Sequence, residues 1–159
     1  MELRPNPARA AAIVPFEPGP PLALPLFLER VPAGFASPAD DQVDRVLDLN
    51  DLCVEHPAAT YFVRVSGESM TGAGIHDGDV LVVDRSLEPR SGDVVVAALD
   101  GEHLVKRLRV VEYGGREGRP VTRRVYLEAE HAAYPSVEVK DGHDLVVWGV
   151  VTTLVHRFR

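Results

Sequence analysis

Six short runs rich in valine, leucine, tyrosine and phenylalanine follow one another from residue 60 onward. They lie at 60–65, 80–84, 93–99, 103–111, 121–128 and 144–155. Turn signals built from glycine and aspartate separate them, and short runs at this spacing are typical of strands in an all-β domain. The pattern predicts a mainly β fold, a compact and highly twisted β domain. Asp100-Gly101 is its strongest hairpin signal.

A short helix is predicted ahead of the first run. Asn50 can cap it, and the helix would continue through Leu52, Val54 and Glu55. Pro57 lies just beyond these residues and is a stop signal.

Proline is crowded at the beginning of the chain, where nine of the 13 prolines fall within the first 38 residues. Proline at that density prevents a regular helix or a central strand and favours extended conformations. We therefore divide the chain into an extended, proline-rich N-terminal arm, residues 1–33, and a β domain, residues 34–159. The arm is too short to hold a helix-turn-helix domain that would read DNA.

Charge and composition exclude several classes of protein. With 17 Lys plus Arg against 24 Asp plus Glu the net charge is −7, which argues against direct binding to the phosphates of DNA. Glu17 and five prolines interrupt the apolar stretch 10–28, so it is neither a signal peptide nor a membrane helix. One cysteine excludes a disulfide framework and fits the cytoplasm. The six histidines show no metal-site spacing, and we expect no metal and no cofactor.

Lys106 is one of only two lysines in the chain and stands in an alternating strand pattern. One predicted face carries Leu104, Lys106, Leu108 and Val110, and the other carries His103, Val105, Arg107 and Arg109. Desolvation on an apolar face lowers the pKa of a lysine and yields an amine that can accept a proton. The alternative is a lysine that reaches water from a sheet edge, or a strand in another register. The other lysine, Lys140, is interpreted as a solvated turn residue.

Ser69 is the candidate nucleophile for such a base. It lies in a loop with glycines at 67, 72 and 74, which allow sharp turns that expose a hydroxyl next to free backbone N–H groups. An ordinary Ser-Gly turn would have the same composition. A third element, Ala33-Gly34 at the end of the arm, places two minimal side chains around one peptide bond and would suit a narrow protease cleft. A bland linker fits it equally well.

These elements, in this order, resemble the self-cleaving Ser/Lys peptidase family of LexA and the phage repressors. Within the family the similarity is greatest to the UmuD branch, whose members have a short arm in place of a DNA-binding domain. It covers nearly all of residues 24–155. Its motifs are Phe27, 31–38, Leu47-Asp48-Leu49-Asn50, 56–63, Ser66-Gly67-Glu68-Ser69-Met70, Asp77-Gly78-Asp79, Gly92-Asp93-Val94-Val95 and Val105-Lys106.

The resemblance implies Ser69 as nucleophile, Lys106 as general base and Ala33–Gly34 as the bond that is cut. Backbone N–H groups near Glu68 and Ser69 would form the oxyanion hole. It further implies a homodimer, self-cleavage stimulated by the RecA filament on single-stranded DNA, and a processed form that acts with a UmuC-type translesion polymerase. No specific contact with DNA and none with a membrane is expected.

Other functions remain open at this stage. The first is a dimeric polymerase-accessory module of the same fold that does not cut itself, although the presence of Ser69, Lys106 and Ala33-Gly34 argues against it. A peptidase that acts on other proteins, as leader peptidases do, is disfavoured by the lack of a membrane anchor. A DNA-binding repressor is disfavoured by the short arm and the acidic charge.

Overall fold

The computed structural model describes residues 20, 22, 24–27, 43–114 and 120–158. Its strands are β1 (Leu24–Phe27), β2 (Val43–Leu47), β3 (Thr60–Arg64), β4 (Val80–Asp84), β5 (Val94–Leu99), β6 (Glu102–Tyr113), β7 (Thr122–Glu128), β8 (Val137–Val139) and β9 (Leu145–Val155). One α-helix, α1 (Leu49–Cys53), and two 3₁₀ turns, Pro57–Ala59 and Thr71–Ala73, complete the described elements. Within these ranges no helix is both long enough and apolar enough to cross a membrane.

The mainly β prediction is confirmed. The six predicted runs correspond to β3, β4, β5, β6, β7 and β9, with each end within two residues of its predicted position. Sequence reasoning missed β2 and β8, two strands of only five and three residues, which are too short to show a clear alternating pattern. It gave the arm an extended conformation, and β1 is an extended strand that holds a proline in a two-stranded sheet.

The other seven strands, β3 to β9, form one antiparallel sheet in the order β3-β4-β9-β5-β6-β7-β8, while β1 and β2 pair in a separate sheet. The last strand, β9, runs back between β4 and β5 and joins the two halves of the large sheet. Both residues of the Asp100-Gly101 connection between β5 and β6 have positive φ, 51° and 87°. A two-residue type I′ hairpin requires this, so the predicted hairpin is confirmed.

Two hydrophobic clusters cover the large sheet. The first contains Val95, Ala97, Leu108, Val125, Leu127, Val139, Val147 and Val150. The second contains Tyr61, Val65, Met70, Ile75, Leu81, Val83 and Val96. Alternate residues of β5 point into different clusters, which explains why its sequence is continuously apolar rather than alternating.

The predicted helix is present but its cap is not Asn50. Asp48 is the N-cap, and its Oδ1 accepts the Asn50 N–H at 2.7 Å. The helix also ends at Cys53, before Val54 and Glu55. The prediction was wrong because two neighbouring residues are both good caps, and the geometry favours the one that also accepts the Leu22 N–H of the arm.

Candidate active site

The segment 65–75, named the serine loop, leaves the end of β3 and is fixed first by the turn before β4. The N–H of Val65 donates to the carbonyl oxygen of Asp79 at 2.8 Å, and the N–H of Gly67 donates to Asp77 Oδ1 at 2.7 Å. Gly67 has a φ of 93°, a left-handed conformation that favours glycine at this sharp bend. The glycine that precedes the candidate nucleophile is therefore a requirement of the turn.

A second set of contacts fixes the serine loop from the segment after β7. Glu130 donates its N–H to the carbonyl oxygen of Ser69 at 2.8 Å and accepts the N–H of Gly72 at 2.6 Å. A Cβ atom on Gly72 would overlap the Glu130 carbonyl oxygen, so only glycine permits this approach. Met70 is 2% exposed within the second cluster and anchors the loop from below. The loop is thus held on both sides of Ser69.

Lys106, in the middle of β6, reaches the candidate nucleophile directly. Its Nζ lies 2.5 Å from Ser69 Oγ and 3.2 Å from the carbonyl oxygen of Val105, within hydrogen-bond distance of both. The side chain is partly buried, and burial lowers the pKa of the Lys106 ammonium because the charged form loses water. Lys140, in contrast, is exposed beside the Asp141-Gly142 turn, as predicted.

The predicted faces of β6 are confirmed in part. Leu108 lies in the first cluster and Leu104 and Val110 pack against it, which is the apolar face that was expected. The opposite face is not simply polar, because Val105 packs against the second cluster. Both faces of β6 therefore pack against a hydrophobic cluster at this point. The alternating sequence pattern predicted only the cluster on the Leu108 face.

The remaining sequence-predicted site residues have different outcomes. Among the described residues, no hydrogen bond from the N–H of Glu68 or Ser69 to an acceptor is found, and their role as an oxyanion hole stays a prediction. The predicted cleavage site, Ala33 and Gly34, lies outside the described residues. Among the residues the structure does describe, no three His, Cys, Asp or Glu side chains come together as a metal site.

Arg107 and Glu130 are site residues that sequence reasoning missed as a pair. Arg107 Nε donates to Glu130 Oε1, and Arg107 also donates to the carbonyl oxygen of Gly92 at 2.7 Å. Arg107 was placed on the polar face of β6, whereas Glu130 follows β7 with no local motif around it. Their proximity depends on the pairing of β6 with β7, which no short-range pattern encodes.

Comparison with known proteins places this geometry in context. The Peptidase S24-like family matches residues 25–152. The chain is 44% identical to protein SamA of Salmonella typhimurium (strain LT2), over 85% of this chain and 86% of SamA. It is 45% identical to protein ImpA of Escherichia coli, over 85% of each chain. It is also 37% identical to the LexA repressor of Ectopseudomonas mendocina, over 99% of this chain and 73% of the repressor.

Proposed function

The chain belongs to the S24-like peptidase family, with UmuD-like relatives, and from this premise we propose that it is a serine peptidase that cuts its own Ala33–Gly34 bond. Ser69 would be the nucleophile and Lys106 the general base. The observation that carries the proposal is the 2.5 Å separation of Lys106 Nζ and Ser69 Oγ. A hydroxyl and an amine at this distance can exchange a proton in one step.

Acylation follows from the positions of these groups. Neutral Lys106 accepts the Ser69 hydroxyl proton as Oγ bonds to the carbonyl carbon of Ala33. The N–H groups of Glu68 and Ser69 would stabilise the negative oxygen of the tetrahedral intermediate. When the intermediate collapses, the C–N bond to Gly34 breaks, and Lys106 gives the proton it took from Ser69 to the leaving amine. The product is an ester between Ala33 and Ser69.

Deacylation completes the reaction. Lys106 takes a proton from water as the water oxygen attacks the ester carbon. Lys106 then gives that proton to Ser69 Oγ as the ester C–O bond breaks, which leaves a carboxylic acid on Ala33 that ionises by releasing its proton to water. The arm, residues 1–33, is thereby separated from the domain, residues 34–159. Because enzyme and substrate are parts of one chain or of one dimer, proximity supplies much of the rate.

The pKa of Lys106 supports regulation of this reaction. A protonated lysine cannot act as a base, and full exposure to water would keep it protonated. Partial burial already lowers the Lys106 pKa. Docking of the apolar segment 31–35 would remove further water and lower it more. Cleavage would then be slow at rest and would accelerate when the segment is held in place.

The UmuD-like relatives support a role in the SOS response. We propose a homodimer whose self-cleavage is stimulated by the RecA filament on single-stranded DNA, in the cytoplasm. Its processed form would act as an accessory subunit of a UmuC-type translesion polymerase. The net charge of −7 fits a protein that meets DNA through protein partners rather than by binding phosphates.

Intact mass after alkaline incubation tests the proposal. The full chain should split into 1–33 and 34–159, and RecA with nucleotide and single-stranded DNA should accelerate the split at neutral pH. Ser69→Ala should abolish it under both conditions. Cleavage at another bond, or persistent cleavage in Ser69→Ala, would refute the assignment. A chain that never cleaves would instead be a non-cleaving accessory module of the same fold.

A further inference from the structure

Two successive residues of β6 reach the serine loop by different routes. Lys106 reaches Ser69 directly, as described above. Arg107 reaches the loop through Glu130, whose side chain accepts from Arg107 and whose main chain contacts Ser69 and Gly72. Glu130 is therefore the point at which the strand that carries the base is tied to the loop that carries the nucleophile.

We propose that Arg107 and Glu130 form a positioning clamp that sets the separation between Ser69 Oγ and Lys106 Nζ. This inference rests on the proposed self-cleavage and adds two positioning residues to it. Neither side chain touches the reacting atoms. The ion pair orients Glu130, and the main chain of Glu130 holds Ser69 and Gly72, three residues further on, through two hydrogen bonds.

The surroundings of the clamp favour a constraining role. The two side chains are 32% and 31% exposed, so the pair is more sheltered from water than a surface ion pair. Arg107 also donates to the carbonyl oxygen of Gly92 at 2.7 Å, just before β5, so the guanidinium is held from two sides. A fork of fixed N–H donors suits two partners in different directions, which a lysine at this position could not match.

Arginine also suits the pH at which the dyad works. The amine of Lys106 must lose its proton to act, whereas a guanidinium stays charged under all conditions that proteins tolerate. The clamp therefore remains closed at alkaline pH while its neighbour in the sequence becomes neutral. The backbone of Gly72 lies so close to the Glu130 carbonyl oxygen that a Cβ atom on residue 72 would overlap it.

The matched control lies two residues further along β6. Arg109 forms a diagonal pair with Glu128 across the β6–β7 ladder, with Nε and Oε1 3.9 Å apart, and the Arg109 side chain is 60% exposed. Glu128 is the last residue of β7, two residues before Glu130, and among the described residues its main chain makes no hydrogen bond to Ser69 or Gly72. Arg109→Ala therefore removes one arginine from the same strand without loosening the serine loop.

The test measures the first-order rate of self-cleavage at alkaline pH for Arg107→Ala, Glu130→Ala, the double variant and Arg109→Ala, with thermal unfolding of each. Each single clamp variant should slow cleavage about 10- to 100-fold, because a misplacement near 1 Å costs up to that much. The double variant should be no slower than the single ones, since both remove one device. Arg109→Ala should cleave at the wild-type rate.

A conservative variant and a spectroscopic signal separate positioning from general destabilisation. Glu130→Gln keeps an oxygen that accepts from Arg107, so it should recover most of the rate that Glu130→Ala loses. With only two lysines in the chain, labelled lysine gives two side-chain NMR signals, which Lys140→Arg assigns. The Lys106 signal should shift in Arg107→Ala and stay in place in Arg109→Ala.

The outcomes distinguish a failure of the proposed self-cleavage from a failure of the proposed clamp. If Ser69→Ala still cleaves, the proposed function fails. If Ser69→Ala is inactive but Arg107→Ala cleaves as fast as Arg109→Ala, the clamp is refuted and the dyad stands. Rate losses of Arg107→Ala and Glu130→Ala that multiply in the double variant would also refute the clamp, because they would show two independent effects.

Discussion

The two-stranded sheet and the seven-stranded sheet differ in what holds their strands in place. β1 and β2 share a ladder of four residue pairs with an irregularity before Phe27, and Leu24 and Val46 are 53% and 65% exposed. In the large sheet, Leu108 and Leu127 are fully buried within one cluster. Leu24 and Val46 are thus held by backbone pairing with little packing, whereas Leu108 and Leu127 are stabilised by packing.

The two sheets also differ in the part that each has in the proposed self-cleavage. The proposed cleavage site lies in the sequence between β1 and β2, while Lys106 belongs to β6 of the large sheet and Ser69 to the serine loop between β3 and β4. The substrate is thus flanked by elements of low intrinsic stability, and the dyad is built on elements that packing makes rigid. The arm is proposed to be released after a single cleavage, and a weakly packed sheet would not hold it in place afterwards.

Complete dissociation of the arm after cleavage is the largest expected effect. An isolated two-stranded pairing is marginal in water, and cutting between β1 and β2 removes the connection that keeps them at high effective concentration. Size-exclusion chromatography of the cleaved protein without denaturant should separate 1–33 from 34–159. Co-elution of the two fragments at micromolar concentration would show that the small sheet is far more stable than its contacts indicate.

Substitutions of matched leucines should show the same contrast in stability. Leu108→Ala should lower the free energy of unfolding by about 2–5 kcal/mol, because a fully buried leucine leaves a cavity in the first cluster. Leu24→Ala, at a half-exposed position in β1, should cost less than about 0.5 kcal/mol. Urea unfolding of the Ser69→Ala chain, which stays intact, measures both. Equal losses would remove the distinction between the sheets.

The buried carboxylate of Asp84 should give the next largest effect. Burial alone would raise its pKa, but hydrogen bonds from Ser86 and His56 outweigh this and hold the Asp84 pKa below its ordinary value. The hydrogen bond to Asp84 raises the pKa of His56. Asp84→Asn should lower the free energy of unfolding by about 1–3 kcal/mol at neutral pH, because the substituted amide cannot satisfy the same donors.

The pH dependence of that loss has a definite sign. The Asp84 contribution is complete above the ordinary carboxyl pKa and disappears as the pH falls through the lowered value. The His56 contribution is complete below the ordinary imidazole pKa and disappears as the pH rises through the raised value. The difference between wild type and Asp84→Asn should therefore be largest between these limits. A difference that does not change with pH would contradict the pairing.

The candidate dyad was predicted from two sequence features taken together and from the family resemblance. Lys106 interrupts an apolar face, and Ser69 lies among glycines that a turn requires. The strands β3 to β7 and β9 were predictable since their periodicity is local. The strands β2 and β8 were not, because runs of five and three residues are too short to show a periodicity. Nor was the role of Glu130, because its main-chain bonds to Ser69 and Gly72 join segments far apart in the sequence. The cap of α1 was misassigned since Asp48 and Asn50 differ only in tertiary contacts.

Asp48→Ala gives a smaller effect than Leu108→Ala and tests the contact between the arm and α1. Its carboxylate accepts the N–H of Asn50 in α1 and, at 2.6 Å, the N–H of Leu22 in the arm. Loss of a helix cap costs about 1 kcal/mol, and we expect that loss in urea unfolding of the Ser69→Ala chain. These two hydrogen bonds lie outside both hydrophobic clusters, so a loss comparable to that of Leu108→Ala would contradict this expectation.

The most direct test follows Lys106 and the cleavage of Ala33–Gly34 together across a pH series. Labelled lysine reports the pKa of Lys106 in the Ser69→Ala chain, and intact mass reports the cleavage rate of the wild type at each pH. The account predicts a rate that rises with pH and levels off at the Lys106 pKa, below the ordinary lysine value of 10.5. It also predicts no cleavage in Lys106→Ala. A cleavage rate that does not change with pH, or cleavage that persists in Lys106→Ala, would contradict the role of Lys106 as the general base.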